Sequence, residues 1–172
     1  MFDELIKQLA GYEINIITES NCKDLLEVIT SNGEYFRLFE DGTANDQTCA
    51  EMINSVPPNF DIHNKLFLGL WKHGQAVAII DILMQYPQKN SIWISLLLVH
   101  EQMHGQGIGR TIDHALVKAA QKNGYISIQL GVIDENKQAL FFWQKLDYRI
   151  TGSKTAISHP GRDIYLLQKE II

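Results

Sequence analysis

The chain has 172 residues, 45% of them hydrophobic and 20% charged, which is enough for one well-buried core and is the make-up of an ordinary globular domain. Its formal net charge of −5 disfavours nucleic acid and anionic membranes as partners, since both demand a positive field, and mildly favours a cationic substrate. No apolar run approaches the ~20 residues that span a bilayer.

In chain order, MFDELIKQLA is a short amphipathic segment without the basic start and long apolar stretch of a secretory leader, so the expected location is the cytoplasm. Tyr12–Thr18 alternates as a strand, and Ser20 or Asn21 then caps a helix with Leu25, Leu26 and Ile29 on one face, closed by Asn32-Gly33. Cys22 and Cys49 form no C-x-x-C pair and, in a reducing compartment, are read as free, buried small residues. After the loop around Asp41-Gly42, a second helix is expected over Asp46–Ser55, stopped by Pro57-Pro58. Lys65–Lys72, Gln75–Tyr86 and Trp93–Val99 are three antiparallel strands, joined by turns at His73-Gly74 and Pro87–Asn90.

The rhythm then changes. Ile108, Ile112, Ala115, Leu116 and Ala119 recur at helical spacing, and Asn123-Gly124 ends that helix. Tyr125–Val132 is a strand, Asn136–Leu146 a helix, and strands near Tyr148–Lys154 and Asp163–Gln168 complete the pattern. The strand–helix–strand unit from Trp93 to Val132 is a crossover, which makes its two strands parallel. One domain over 1–172 follows, of α/β (α+β type) class, with a mixed sheet antiparallel at its start and parallel in its centre.

The most informative stretch is SIWISLLLVHEQMHGQGIGR, where an apolar run stops at Val99 and Gly105, Gly107 and Gly109 alternate into a helix. That order gathers exposed backbone N–H groups at a helix N-terminus, a ready anion site. A rival reading lies in the same letters: His100-Glu101-Gln102-Met103-His104 spells the H-E-x-x-H of a zinc hydrolase, whose two histidines must share a helical face. Against it, Arg110 stands where a third ligand would fall, and the preceding apolar run fits a strand better than a helix. A dinucleotide fingerprint fails as well, because position 110 is not glycine, and no G-K-[ST] follows the turn.

Strand, His104-Gly105-Gln106-Gly107-Ile108-Gly109, helix, strand, and then Asn136, Ala139, Trp143, Asp147 and Tyr148 at N-x-x-A-x-x-x-W-x-x-x-D-Y spacing resembles the GNAT superfamily of acyl-CoA-dependent N-acyltransferases. Its first signature is [RQ]-x-x-G-x-[GA] and its second N-x-x-A-x-x-x-Y-x-x-x-G-[FY]. This chain departs at His104, where the family has Arg or Gln acting mainly through its backbone, at Asp147, where the family has glycine, and at Trp143, where many members carry a tyrosine that protonates the leaving thiolate. An indole N–H donates a hydrogen bond but is no practical acid.

The resemblance implies a sheet whose central parallel pair splays, helices on both faces, and acetyl-CoA as cosubstrate with no metal. It implies that the diphosphate rests on the turn (His104, Gly105, Gln106, Gly107, Ile108, Gly109, Arg110) and that the pantetheine arm runs along the Trp93–Val99 strand. A backbone N–H near Leu98 or Val99 would then face the thioester oxygen, with Asn136 and Trp143 touching the arm. The acceptor would be a small-molecule or peptide amine, and dimers are common among such proteins. Independently, Asp81 inside AVAIIDILM is costly to bury unpaired, so it is either hydrogen-bonded in the core or is the leading carboxylate for the base or for anchoring a substrate ammonium, with Glu101 behind it. Tyr35, Phe36 and Phe39, in the loop after the first helix, fall where the family forms its acceptor wall. A silent acyl-CoA-binding module remains the alternative, favoured by Trp143.

Overall fold

The computed structural model describes residues 1–39, 47–155 and 161–172, with the backbone alone at Phe39. Strands β1 (Glu13–Ile16), β2 (Lys65–Lys72), β3 (Gln75–Met84), β4 (Ser91–Val99), β5 (Ser127–Ile133), β6 (Arg149–Thr155) and β7 (Asp163–Glu170) form one sheet in the order β1-β2-β3-β4-β5-β7-β6. Every pairing is antiparallel except β4 with β5. The β2–β3 hairpin turns on His73 (φ 52°) and Gly74 (φ 78°), the two consecutive positive φ values that match the twist of paired strands.

Helices cover both faces. On one, α1 (Phe2–Gln8), α5 (Ile108–Lys122) and α6 (Lys137–Gln144) enclose a core of Leu5, Ile112, Leu116 and Trp143 against Leu70, Ile80, Ile92, Ile128 and Leu130. On the other, a 3-10 turn (Cys22–Leu25), α2 (Leu26–Ser31), α3 (Gly33–Phe39) and α4 (Thr48–Asn54) bury Leu25, Val28, Ile29 and Phe36 against Phe67, Ile79, Leu96 and Leu98.

Two local features open the sheet between β4 and β5. Their pairing runs only from Ser91/Ser127 to Ile94/Leu130, although β4 continues to Val99 and β5 to Ile133. At the same place the β3–β4 register steps from Ile82↔Ile94 to Asp81↔Leu96, which leaves Ser95 as an extra, bulged residue. The bulge exchanges the faces of β4. Before it Ile92 and Ile94 join the α5-side core; after it Leu97 and Val99 pack on that side, while Leu96 and Leu98 turn to the α2-side core.

Two expectations need correction. Cys22 and Cys49 are not free thiols but form a disulfide with Cα atoms 6.1 Å apart, because the 3-10 turn and α4 are folded together over the same core. Tyr35 and Phe36 belong to a helix, not a loop: α2 stops at Asn32, and a new helix starts at Gly33 with no breaker before its end. The loop around Asp41-Gly42 and the expected helix start at Asp46 lie outside the described residues, where α4 is seen from Thr48. Among the described residues no helix is long and apolar enough to cross a membrane.

Candidate active site

The parting of β4 and β5 opens into a cleft of about 1620 Å³. Its walls are α2–α3 from Thr30 to Leu38, the free half of β4 from Ile94 to Val99, the glycine turn, the end of β5, and the start of α6. His100 donates its N–H to Val77 O of β3 at 2.9 Å. Alternation along an antiparallel ladder therefore gives the N–H groups of Leu98 and Leu96 to β3 as well, and turns those of Leu97 and Val99 toward the edge that β5 has left. Of the two residues expected to supply an oxyanion donor, Val99 faces the cleft with its N–H and Leu98 does not. Leu97 replaces it.

At the head of β4 the chain makes a three-residue 3-10 turn, Glu101–Met103, and enters α5 through Gly107 at φ 81°. A side chain at that backbone angle is strained, and glycine removes the strain. Met103 N–H is bonded to His100 O, His104 N–H to Glu101 O and Gln106 N–H to Met103 O, so the turn's own carbonyls consume those three donors. The N–H groups of Gly105, Gly107, Ile108, Gly109 and Arg110 have no acceptor among the described residues, and no side chain caps α5. Five unclaimed donors thus converge at the positive end of a 15-residue helix, worth roughly +0.5 charge. Arg110, Lys137 and Lys145 add cations to the cleft wall.

Each expected cofactor residue can now be placed. His104, Gly105, Gly107, Ile108, Gly109, Arg110, Leu98, Val99, Asn136 and Trp143 all line the cleft. Gln106 does not: its amide nitrogen bonds to Gln102 O at 3.3 Å and braces the outside of the turn. Asn136 caps α6 by accepting the N–H of Ala139 at 3.0 Å, which leaves its amide NH₂ without a partner among the described residues. Trp143 stacks edge-on between Phe142 and Tyr148, with ring centroids at 4.9 and 5.0 Å. Tyr35 and Phe36 line the opposite wall, and the Phe39 side chain lies outside the described residues.

Asp81 is not brought to the cleft. Its Oδ2 lies 2.9 Å from Lys65 Nζ, which also donates to Met52 O and Ser55 O at 2.7 Å each and so fastens the end of α4 to the sheet. Burial pushes the Asp81 carboxyl up to about 6, against the pull of Lys65. A base at neutral pH needs such a value, but it also needs reach, and here the carboxylate is committed to an anchor.

The zinc reading fails on geometry. His100 ends the strand, and Glu101–Met103 is a single 3-10 turn, so the two histidines share no α-helical face. His100 Nδ1 accepts from Gln102 N at 3.3 Å, and His104 Nε2 lies 2.8 Å from Val99 O.

Sequence reasoning missed what holds the cleft's parts together. Ser31 Oγ accepts the Glu101 N–H at 3.2 Å, and Asn32 Nδ2 reaches Val99 O at 3.1 Å, so the end of α2 is latched to the end of β4. A Cβ on Gly109 would stand 2.9 Å from Phe142 Cζ, so the two signatures meet by close packing of α6 on the first turn of α5. No spacing signals either contact.

The arrangement is a mixed sheet parted at β4–β5 with an N–H-rich helix entrance at the head of the gap. The acetyltransferase (GNAT) family profile matches residues 30–148, and the chain belongs to that family. No curated protein sequence matches it at a significant level. Among solved structures it is similar to an acetyltransferase from Thermus thermophilus (20% identity, TM-score 0.75, covering 93% of this chain and 97% of that one). It is also similar to the ribosomal-protein-S18-alanine N-acetyltransferase from Escherichia coli (13%, 0.67, 93% and 94%). An N-acetyltransferase from Staphylococcus aureus is a third such structure (13%, 0.66, 94% and 99%). At these identities the likeness speaks for the fold.

Proposed function

We propose that the chain is an N-acetyltransferase that moves an acetyl group from acetyl-CoA to a primary amine by direct attack. The observation that carries this reading is the joining, in one cleft, of five unclaimed N–H groups at the entrance of α5 with an unpaired edge of β4. The first suits a diphosphate, and the second suits an extended amide chain added as a strand. When bound, acetyl-CoA supplies an activated thioester carbonyl.

The chain's own residues do the rest. The turn from Gly105 to Arg110 holds the diphosphate, with Asn136 and Trp143 against the arm. The N–H of Leu97 or Val99 stabilises the oxyanion, a donor typically worth ~3 kcal/mol in the transition state. The acceptor ammonium must lose a proton before it attacks. Glu34, Glu101 and Glu135 stand in the wall of the open cleft, and the proton leaves to solvent past them. Trp143 lines the thiol end without supplying an acid, so the thiolate takes its proton from solvent in the open cleft.

Release of free thiol from acetyl-CoA in the presence of a panel of small amines and peptides tests the proposal. Turnover above the amine-free rate is expected with at least one of them. The position of Trp143 supports one second reading, a silent acyl-CoA-binding module. Binding of coenzyme A without turnover of any amine would select it.

A further inference from the structure

The carbonyl of Val99 is the last acceptor on the open edge of β4, and it is already taken twice. His104 Nε2 approaches it at 2.8 Å from the glycine turn, and Asn32 Nδ2 at 3.1 Å from the end of α2. Because a carbonyl only accepts, the His104 proton is on Nε2. The Asn32 NH₂ is held in place, since Nδ2 also bonds to Val28 O at 2.8 Å and lies 3.3 Å from Ser31 Oγ. The same peptide unit donates its other end, the N–H of His100, to Val77 O at 2.9 Å. One peptide plane is therefore held from three sides, while the N–H groups of Leu97 and Val99 beside it stay open to the cleft. His104, Asn32 and Val99 all line that cleft.

An extended chain that pairs with an exposed strand edge can slip along it in steps of two residues, because the ladder repeats with that period. A blocked acceptor ends the ladder. We infer that His104 and Asn32 are positioning residues that close the Val99 carbonyl and thereby fix the register in which an acyl-pantetheine arm lies on β4. This rests on the acyltransferase reading above. With Val99 O closed, an amide hydrogen of the arm pairs with Leu97 O, an amide carbonyl of the arm meets the Val99 N–H, and the thioester oxygen meets the Leu97 N–H. The thioester is then delivered to one place, beside the bulge at Ser95. Without the clamp a second register opens toward the turn, and the acyl group is held out of line with the acceptor.

The test compares wild type with Asn32→Asp, His104→Ala and His104→Gln. Affinities are measured by calorimetry for coenzyme A and for adenosine 3′-phosphate 5′-diphosphate, which has the diphosphate but no arm, and kcat and KM are followed by thiol release. Asn32→Asp and His104→Ala should each lower kcat by up to about a hundredfold, the effect of a misplaced reacting group, and Asn32→Asp, which lies outside the glycine turn, should leave the affinity for the armless nucleotide unchanged. His104→Gln, which keeps a donor, should restore most of kcat. A melting transition near that of wild type certifies that each variant is folded. Equal kcat in all four proteins, a parallel loss of armless affinity in Asn32→Asp, or no rescue by glutamine overturns the assignment. If wild type itself fails to bind coenzyme A, the acyltransferase reading falls and takes this inference with it.

Discussion

Asp113 on α5 accepts the hydroxyl of Tyr148 at 2.8 Å, joining α5 to the segment between α6 and β6. Lys169 of β7 closes the group from the other side, with Nζ 2.9 Å from Asp113 Oδ2 and 5.2 Å from the Tyr148 ring centroid. The tyrosine is 1% exposed, and burial, with the Asp113 charge next, raises its pKa well above the ordinary value. It stays a neutral donor. Tyr148→Phe removes the donor but leaves Asp113 its lysine, so a loss of roughly 1–3 kcal/mol is expected, read as a lower urea midpoint at unchanged slope.

The Lys65–Asp81 anchor makes a different kind of prediction. Burial raises the folded-state pKa of Asp81 from 3.8 to about 6, so between those values the folded protein holds a proton that the unfolded chain has released. The contribution is then fully present below about pH 4 and is lost as pH rises through about 6, amounting to ~3 kcal/mol at 1.36 kcal/mol per unit. Urea midpoints of wild type minus those of Asp81→Asn should fall across this window and level off above it. Acetyl transfer at pH 8 should survive in Asp81→Asn, within about threefold of wild type, since no reacting group is removed. A collapse of kcat with normal stability would return Asp81 to the role of base.

Gly107 and Gly109 separate strain from packing at the turn. Gly107→Ala puts a side chain at φ 81° with nothing within 4 Å, so its stability cost is the left-handed penalty alone, about 1 kcal/mol. The methyl group also adds bulk to the turn that carries the unclaimed donors. Coenzyme A binding should weaken about tenfold or more, as expected when a close backbone approach is blocked. Gly109→Val instead drives into the Phe142 ring 2.9 Å away, and should cost ~1–3 kcal/mol of stability through overpacking. Melting temperature and calorimetric affinity, measured on both, distinguish the two.

The sheet was readable because its strands are short, alternating and bounded by turn residues. His73-Gly74 and Asn123-Gly124 mark their turns in the letters alone. The end of the cleft proposed for the cofactor was readable for the same local reason, since His104 to Arg110 is one unbroken stretch. The end proposed for the acceptor was not. Its wall combines α2 and α3 with the end of β4, through contacts such as Asn32 to Val99 and Ser31 to Glu101 that lie 67 and 70 residues apart in sequence. Asp81 faces Lys65 and not the cleft, and a carboxylate in an apolar strand signals only that a partner exists. Lys65 lies directly before another apolar run, and nothing in its spacing pairs the two. Leu97, and not Leu98, turns its N–H to the cleft on the bulged stretch of β4, and a bulge leaves no mark in an apolar strand.

The Cys22–Cys49 disulfide bears on the same acceptor wall. The bond closes a span of 27 residues that contains α2 and α3, both of which line the cleft. Its far end is α4, which Lys65 bolts to the sheet through Met52 O and Ser55 O. Cross-linking a loop of this length restricts the unfolded chain by about 3–4 kcal/mol on the chain-entropy estimate. Replacing both cysteines by alanine should therefore lower stability by roughly that amount, with the loss reproduced in wild type by a dithiol reductant and absent when the reductant is added to the variant. The glycine turn is anchored elsewhere, on β4 and α5, so coenzyme A affinity should stay within about twofold, the usual independence of distant sites. The amine KM should rise, because the wall that seats the acceptor has lost its link to α4. A fall in coenzyme A affinity with an unchanged amine KM would show that α2 and α3 belong to the other half of the cleft.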